Sequence, residues 1–204
     1  MSAKRNNPNH AKVFYPKNSS YQGGWLDDLK SGFGIYNSKN AIYEGSWLKG
    51  KRNGHGVLYH RDAGNFKRVY EGDWFCGFKH GQGTSREHGN LYIGKFEKNV
   101  KCGSGQQKFH DGSVYVGNFS NNLPNGQGRL THANGNIYDG GFANGVCEGK
   151  GVLFYKSSGM TLRGVWHKGQ CVPGTMEGSN IPDIGLSDLN KVVEESRAAV
   201  KTRV

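Results

Sequence analysis

A tyrosine that returns every 22 to 27 residues limits what this chain can fold into. It stands at Tyr21, Tyr43, Tyr70, Tyr92, Tyr115 and Tyr138, and a degraded seventh start follows at Leu162. A glycine follows each start by two residues and a large ring follows by four: Trp25, Trp47, Trp74, Phe96, Phe119, Phe142 and Trp166. A G-x-G pair comes eleven and thirteen residues after each of the six tyrosines, as at Gly81 and Gly83 after Tyr70. Self-similarity with a period of this size is the signature of a repeat array, whose units bury their apolar faces against neighbours.

Within a repeat the periodicity is two. Tyr43, Gly45 and Trp47 share one face of a strand, while Glu44 and Ser46 point to the other. Seven residues after each start stands Asp28, Gly50, Gly77, Asn99, Asn122, Gly145 or Gly169. These residue types tolerate positive φ, so a turn is expected there. A second strand begins at the G-x-G and closes on another turn, as at His88-Gly89, Asp111-Gly112 and Asn134-Gly135. Each repeat is therefore a β-hairpin, and hairpins must stack to bury a face. Stacking lines up the tyrosines beside the Trp/Phe row, with rings lying over side-chain-free glycines. The fold class expected is all-β: an elongated, single-layer antiparallel sheet of stacked hairpins, twisted and roughly 65 Å long at ~4.8 Å per strand.

Composition agrees with order. Glycine is abundant (33 of 204 residues), but the glycines fall in register and ten Tyr, ten Phe and four Trp accompany them. Disordered segments are poor in aromatics. The formal charge of +11 is uneven: residues 1–101 carry 17 Lys/Arg against 8 Asp/Glu, and residues 102–204 carry 10 against 8. A basic half suits nucleic acid, anionic lipid or an acidic protein surface. Met1–His10 has no apolar core of a signal peptide, and no run of ~18 apolar residues occurs. A cytoplasmic chain is expected, with Cys76, Cys102, Cys147 and Cys171 reduced.

The Y-x-G-x-[WF] starts and their G-x-G pairs resemble the MORN-repeat family (membrane occupation and recognition nexus) over residues 21–169. The resemblance implies a single-layered, elongated antiparallel sheet. Related proteins occur in radial spokes of cilia, at junctional membranes and in parasite cytoskeletons. It thus implies a place in a cytoskeletal assembly such as a ciliary or flagellar axoneme.

Three segments are expected. Residues 1–20 read as a mobile polar arm and residues 21–172 as the array, six repeats plus a partial seventh. Residues 173–204 read as a linker and a capping helix, because Pro173-Gly174 ends the pattern and Ser187 precedes helical spacing of Leu189, Val192, Val193, Ser196 and Val200. The second repeat is longer than the rest, so residues 60–68 read as a protruding basic loop carrying Arg61, Lys67 and Arg68.

No motif supports catalysis. None of the six G-x-G pairs has the third glycine of a dinucleotide fingerprint, Gly149-Lys150-Gly151 is no phosphate loop, and G-x-S-x-G is absent. The cysteines form no C-x-x-C, and His88 with His110 offers only two ligands, so neither metal nor cofactor is expected. The function expected is a non-catalytic scaffold. Its protein-binding residues are expected to be the ring row Tyr21, Trp25, Tyr43, Trp47, Tyr70, Trp74, Tyr92, Phe96, Tyr115, Phe119, Tyr138 and Phe142, because one sheet layer leaves a face to cover. Its partners are expected to be other proteins of a larger assembly, with a second copy of the chain and anionic lipid as alternatives and nucleic acid outside the reading. An extended array predicts rod-like small-angle scattering, and a radius of gyration near ~17 Å, that of a compact chain of this length, contradicts it.

Overall fold

A computed structural model describes residues 11–177. Among them there is no helix; fifteen strands follow one another. They are β1 (Ala11–Tyr15), β2 (Ser19–Leu26), β3 (Leu29–Asn37), β4 (Ala41–Leu48), β5 (Lys51–Asp62), β6 (Asn65–Phe75), β7 (Phe78–Glu87) and β8 (Asn90–Glu97). They continue as β9 (Val100–Lys108), β10 (Val114–Ser120), β11 (Leu123–Thr131), β12 (Ile137–Ala143), β13 (Val146–Tyr155), β14 (Met160–His167) and β15 (Gln170–Glu177). Strand order in the sheet is strand order in the chain, so the fold is one open antiparallel sheet of successive hairpins.

Two compact units divide it. The first reaches Arg86 and also holds Glu97–Asn99, and the second takes Glu87–Phe96 and the strands from Val100 onward. The placement of Glu97–Asn99 has a direct cause. Asn99 N–H donates to the Lys79 carbonyl at 2.9 Å, and Lys79 N–H donates to Asn99 Oδ1 at 2.8 Å.

That pairing belongs to a rule of the fold. The two residues six and seven after each start form the hairpin turn, and both have positive φ, as in a type I′ turn. The first of them lies between +47° and +51° in all seven repeats, and the second between +62° and +92°. The sequence points to the second position; the first holds Lys49, Cys76, Lys98 and Lys168 in a conformation that costs a side-chain-bearing residue about 1–2 kcal/mol. The turn repays this by linking repeats. Gly50 N–H donates to Lys30 C=O, Gly77 to Arg52, Asn122 to Lys101, Gly145 to Pro124 and Gly169 to Cys147.

The glycines divide into two roles. Those eleven residues after each tyrosine, Gly32 and its equivalents, have φ between +60° and +88° and sit where the pairing slips. Thus Gly23 faces Gly34 but Trp25 faces Lys30, leaving Gly24 opposite three residues of β3. The other pair, at two and thirteen, makes room for the tyrosine. A β-carbon on Gly34 lies 2.3 Å from Tyr21 Oη, and one on Gly83 lies 2.5 Å from Tyr70 Oη. The tyrosine lies flat over these glycines and donates its hydroxyl to the carbonyl three residues on, at 3.1 Å for Tyr21 and 2.9 Å for Tyr115.

Four expectations change. Residues 11–20 are not an arm: β1 pairs with β2, Val13 opposite Tyr21, and a turn at Lys17-Asn18 joins them. Pro173-Gly174 does not end the sheet, since β15 runs to Glu177 opposite Thr161. The seventh repeat is therefore a full hairpin. The basic loop of residues 60–68 is also strand. β5 and β6 run on past their neighbours, pair Arg61 with Phe66 and Asp62 with Asn65, and turn at Ala63-Gly64. The expected capping helix lies outside the described residues.

The two glycine roles separate experimentally. Gly83→Ala must move the Tyr70 ring and is expected to cost about 3 kcal/mol, the upper end for overpacking. Gly77→Ala meets open space at φ +92° and is expected to cost about 1–2 kcal/mol of backbone strain alone. Denaturant titration of both variants checks the order, and equal costs refute the ring-seat assignment.

Candidate functional site

The ring row is the core. Tyr21, Tyr43, Tyr70, Tyr92, Tyr115 and Tyr138 are at most 2% exposed, and the Trp and Phe rings between 2% and 8%. Each described contact is edge-to-face. In the first unit Tyr21 packs on Trp25 and Trp47, and Tyr43 on Trp47 and Trp74, with centroids 5.1–5.3 Å apart. In the second, Tyr92 packs on Phe96 and Phe119, Tyr115 on Phe119 and Phe142, and Tyr138 on Phe142 and Trp166. Such geometry is the favoured one for ring quadrupoles. Trp47 Nε1 donates to Gly34 C=O and Trp74 Nε1 to Gly56 C=O, both at 3.1 Å. The expectation that this row offers a binding surface is corrected: a partner cannot touch rings whose faces and edges are already taken by each other and by the sheet.

A cation lies over a ring of the row nine residues after each of the first four tyrosines, three of them in the first unit and one in the second. Lys30 Nζ lies 4.7 Å from the Trp47 ring centre, Arg52 Cζ 4.1 Å from Trp74, Lys79 Nζ 5.0 Å from Tyr70 and Lys101 Nζ 4.9 Å from Tyr92. Arg52 also donates from Nη2 to Gly77 C=O at 3.1 Å. A desolvated cation over a ring contributes about 1–2 kcal/mol. In later repeats the same position is Pro124, Cys147 and Cys171. Burial pushes the Cys147 thiol up to about 11, which makes it a poor nucleophile at neutral pH.

The six tyrosines, their rings and the paired glycines match one description. The family model of the MORN repeat covers residues 21–40, 43–63, 70–86, 92–114, 115–137 and 138–160. The chain belongs to the MORN-repeat family. No curated protein matches it. The MORN repeat is in general a non-catalytic module of protein or lipid interaction. Its matches stop before the seventh hairpin of this chain, where Leu162 replaces the tyrosine yet β14 and β15 still pair.

With the MORN rings buried, the accessible apolar residues lie elsewhere. Each I′ turn is flanked by a cross-strand pair, one residue after the Trp/Phe and one before the cation. In the first unit these are Leu26 with Leu29, Leu48 with Lys51, and Phe75 with Phe78. The five apolar members are 45–56% exposed. Strand alternation turns them away from the ring face, as it does Phe33, which is 54% exposed. The repeat alignment already contained this column, but periodicity draws the eye to the rings.

The three basic residues singled out at the long hairpin are each engaged. Lys67 Nζ contacts Asp62 Oδ2 at 2.6 Å, Arg68 pairs with the buried Glu71, and Arg61 lies 5.1 Å over Phe66. The exposed Lys67–Asp62 pair is worth little. Among the described residues no three His, Cys, Asp or Glu side chains gather as a metal would need.

The buried tyrosines set a limit at high pH. Burial pushes Tyr21 up to about 12, and Tyr43, Tyr92, Tyr115 and Tyr138 higher still. A folded-state pKa raised above the unfolded value near ~10 gives stability that is full below pH ~10 and lost as pH rises toward the folded value. Each such tyrosine removes about 1.4 kcal/mol per pH unit in that window. Base denaturation is expected to begin just above pH 10, with circular dichroism and phenolate absorbance changing together. Since four of the ten tyrosines lie outside the buried row, more than four phenolates per chain at pH 10 in a sheet that stays folded contradict it.

Proposed function

We propose that the chain is a non-catalytic scaffold that holds a partner protein along the turn edge of its first unit. The observation that carries this reading is the row Leu26, Leu29, Leu48, Phe75 and Phe78, half-exposed and on one edge of one face. Scattered exposed apolar residues need no explanation, whereas a contiguous set is what an interface core uses. Lys49 and Lys51, both exposed, stand within that row, so a partner with acidic residues beside its apolar face fits it. Finer features point to a setting. The long second repeat, the Arg68-Val69-Tyr70-Glu71-Gly72 junction and the Gly174-Thr175-Met176 segment resemble MORN repeat-containing protein 3 of animals, a protein associated with male germ cells. That resemblance supports a place in a ciliary or flagellar cytoskeletal assembly, such as an axonemal radial spoke, and a cytoplasmic location.

The alternative is a module for anionic membranes. Its support, the basic first half, is reduced by the internal partners of Lys67 and Arg68. The purified wild-type chain and the double variant Phe75→Ser/Phe78→Ser separate the readings. Both side chains are half-exposed, so the variant is expected to lose less than about 1 kcal/mol of stability. Partner capture from ciliated or germ-cell extract is expected to fall at least tenfold, and vesicles of phosphatidylserine and phosphatidylcholine are expected not to pellet with either protein. Undiminished capture by the variant, together with salt-sensitive pelleting on those vesicles, overturns the scaffold reading in favour of the membrane.

A further inference from the structure

A cavity of about 540 Å³ opens in the first unit, beside the first rings of the ladder. Tyr15, Trp25, Leu29, Lys30 and Tyr36 line it, with Asp28 also among its residues. The volume lies within the roughly 300–1,000 Å³ of pockets that hold small ligands. Its walls are aromatic, and one cation projects among them.

Lys30 differs from its equivalents in later repeats. Nζ sits 4.3 Å from the ring centre of Tyr36, 4.7 Å from Trp47, 5.1 Å from Tyr21 and 5.3 Å from Tyr15. Four π faces favour the ammonium but accept none of its N–H bonds as an oxygen would. Arg52 gives a hydrogen bond to Gly77 C=O, and Lys101 gives one to Gln107 Oε1 at 3.0 Å. Lys30 has neither an ion pair nor a side-chain hydrogen bond among the described residues. Burial pushes its pKa below the ordinary lysine range, the cost of holding a cation partly out of water without a counter-ion. The amine and the cavity thus lack the same thing, an anionic oxygen carried on an apolar body.

We infer that this cavity binds an aromatic carboxylate, its ring lodged between Tyr15 and Tyr36 and its oxygens accepting N–H bonds from Lys30 Nζ. The carboxylate is carried either by a free small molecule or by the terminal aromatic residue of another chain; both present the same groups. The cavity shares Leu29 with the turn edge proposed above, but the inference rests on Lys30 and the rings around it and stands without that reading.

Calorimetric titration of the full chain tests this with two matched pairs of probes. One pair is 2-naphthoate and 2-naphthamide; the other is N-acetyl-glycyl-phenylalanine with a free or an amidated C-terminus. At least one acid is expected to bind one-to-one and at least tenfold tighter than its amide. Binding of 2-naphthoate shows that a free aromatic carboxylate suffices, and binding of the peptide acid alone assigns the site to a chain terminus. Lys30→Met keeps the apolar stem and is expected to abolish the preference for acid. Should that variant misfold, the ¹³Cε resonance of Lys30 in the wild-type chain is read instead and is expected to shift with the acid and not with the amide. Equal binding of acid and amide, no binding of either acid, or a Lys30 resonance that the acid leaves in place overturns the inference.

Discussion

Everything in this sheet depends on a tyrosine lying flat across two glycines. The ring has no opposing layer to bury it, so it buries itself against its own strands. Gly34 and Gly23 remove the side chains that would stand beneath Tyr21, and the hydroxyl is satisfied by the Gly24 carbonyl that the slipped pairing exposes. A buried phenol without that acceptor costs about 1–3 kcal/mol. The bulge, the left-handed glycine and the ring seat are therefore one device, and none is useful without the others. The Trp or Phe of the same repeat closes the free edge of the ring, and that of the next repeat closes the other wherever the pair is described. Stability passes from hairpin to hairpin through shared aromatic contacts, as nearest-neighbour coupling requires in repeat proteins.

Much of this was legible in the sequence because it recurs. Seven starts in register imply hairpins, and glycines at fixed offsets imply close approach. The ring row and its glycine floor follow from that spacing. The places where the reading failed are those where a single copy departs from the pattern. Ala11–Tyr15 has no tyrosine start, yet Val13 faces Tyr21 across the ladder. The insertion of the second repeat carries Asp62, Ala63 and Gly64, whose turn geometry extends the hairpin instead of opening a loop. β15 carries Pro173, whose missing N–H is tolerated in a strand that, among the described residues, has a neighbour on one side only.

The candidate site was misread for a physical reason. A period-two pattern says which residues share a face, but not whether that face is covered. Covering here comes from within the face: edge-to-face rings and the stems of Lys30, Arg52 and Lys79, which lie along them as amphipathic side chains do. In the first unit the accessible apolar residues beside the turns fall at equally regular offsets, five and eight residues after a start, Lys51 excepted. Leu26 and Leu29 or Phe75 and Phe78 look like ordinary strand ends until the turn between them is known to be only two residues long. Then the pair must stand together, exposed, at the rim of the sheet.

The same argument revises the meaning of the charge. An excess of Lys and Arg in residues 1–101 reads, by count, as a surface waiting for an anionic partner. By position, a share of it is internal. Lys30, Arg52 and Lys79 of the first unit and Lys101 of the second hold the same repeat position and sit on Trp47, Trp74, Tyr70 and Tyr92, while Lys67 and Arg68 face Asp62 and Glu71. Three of the +4 rings from Trp25 to Phe96 are Trp, the ring with the strongest attraction for a cation. After them the rings are Phe119, Phe142 and Trp166, and the same position holds Pro124, Cys147 and Cys171. A cation that lies over a ring in each of the first four repeats is engaged by the ladder itself, so the count of Lys and Arg overstates the charge offered to a partner.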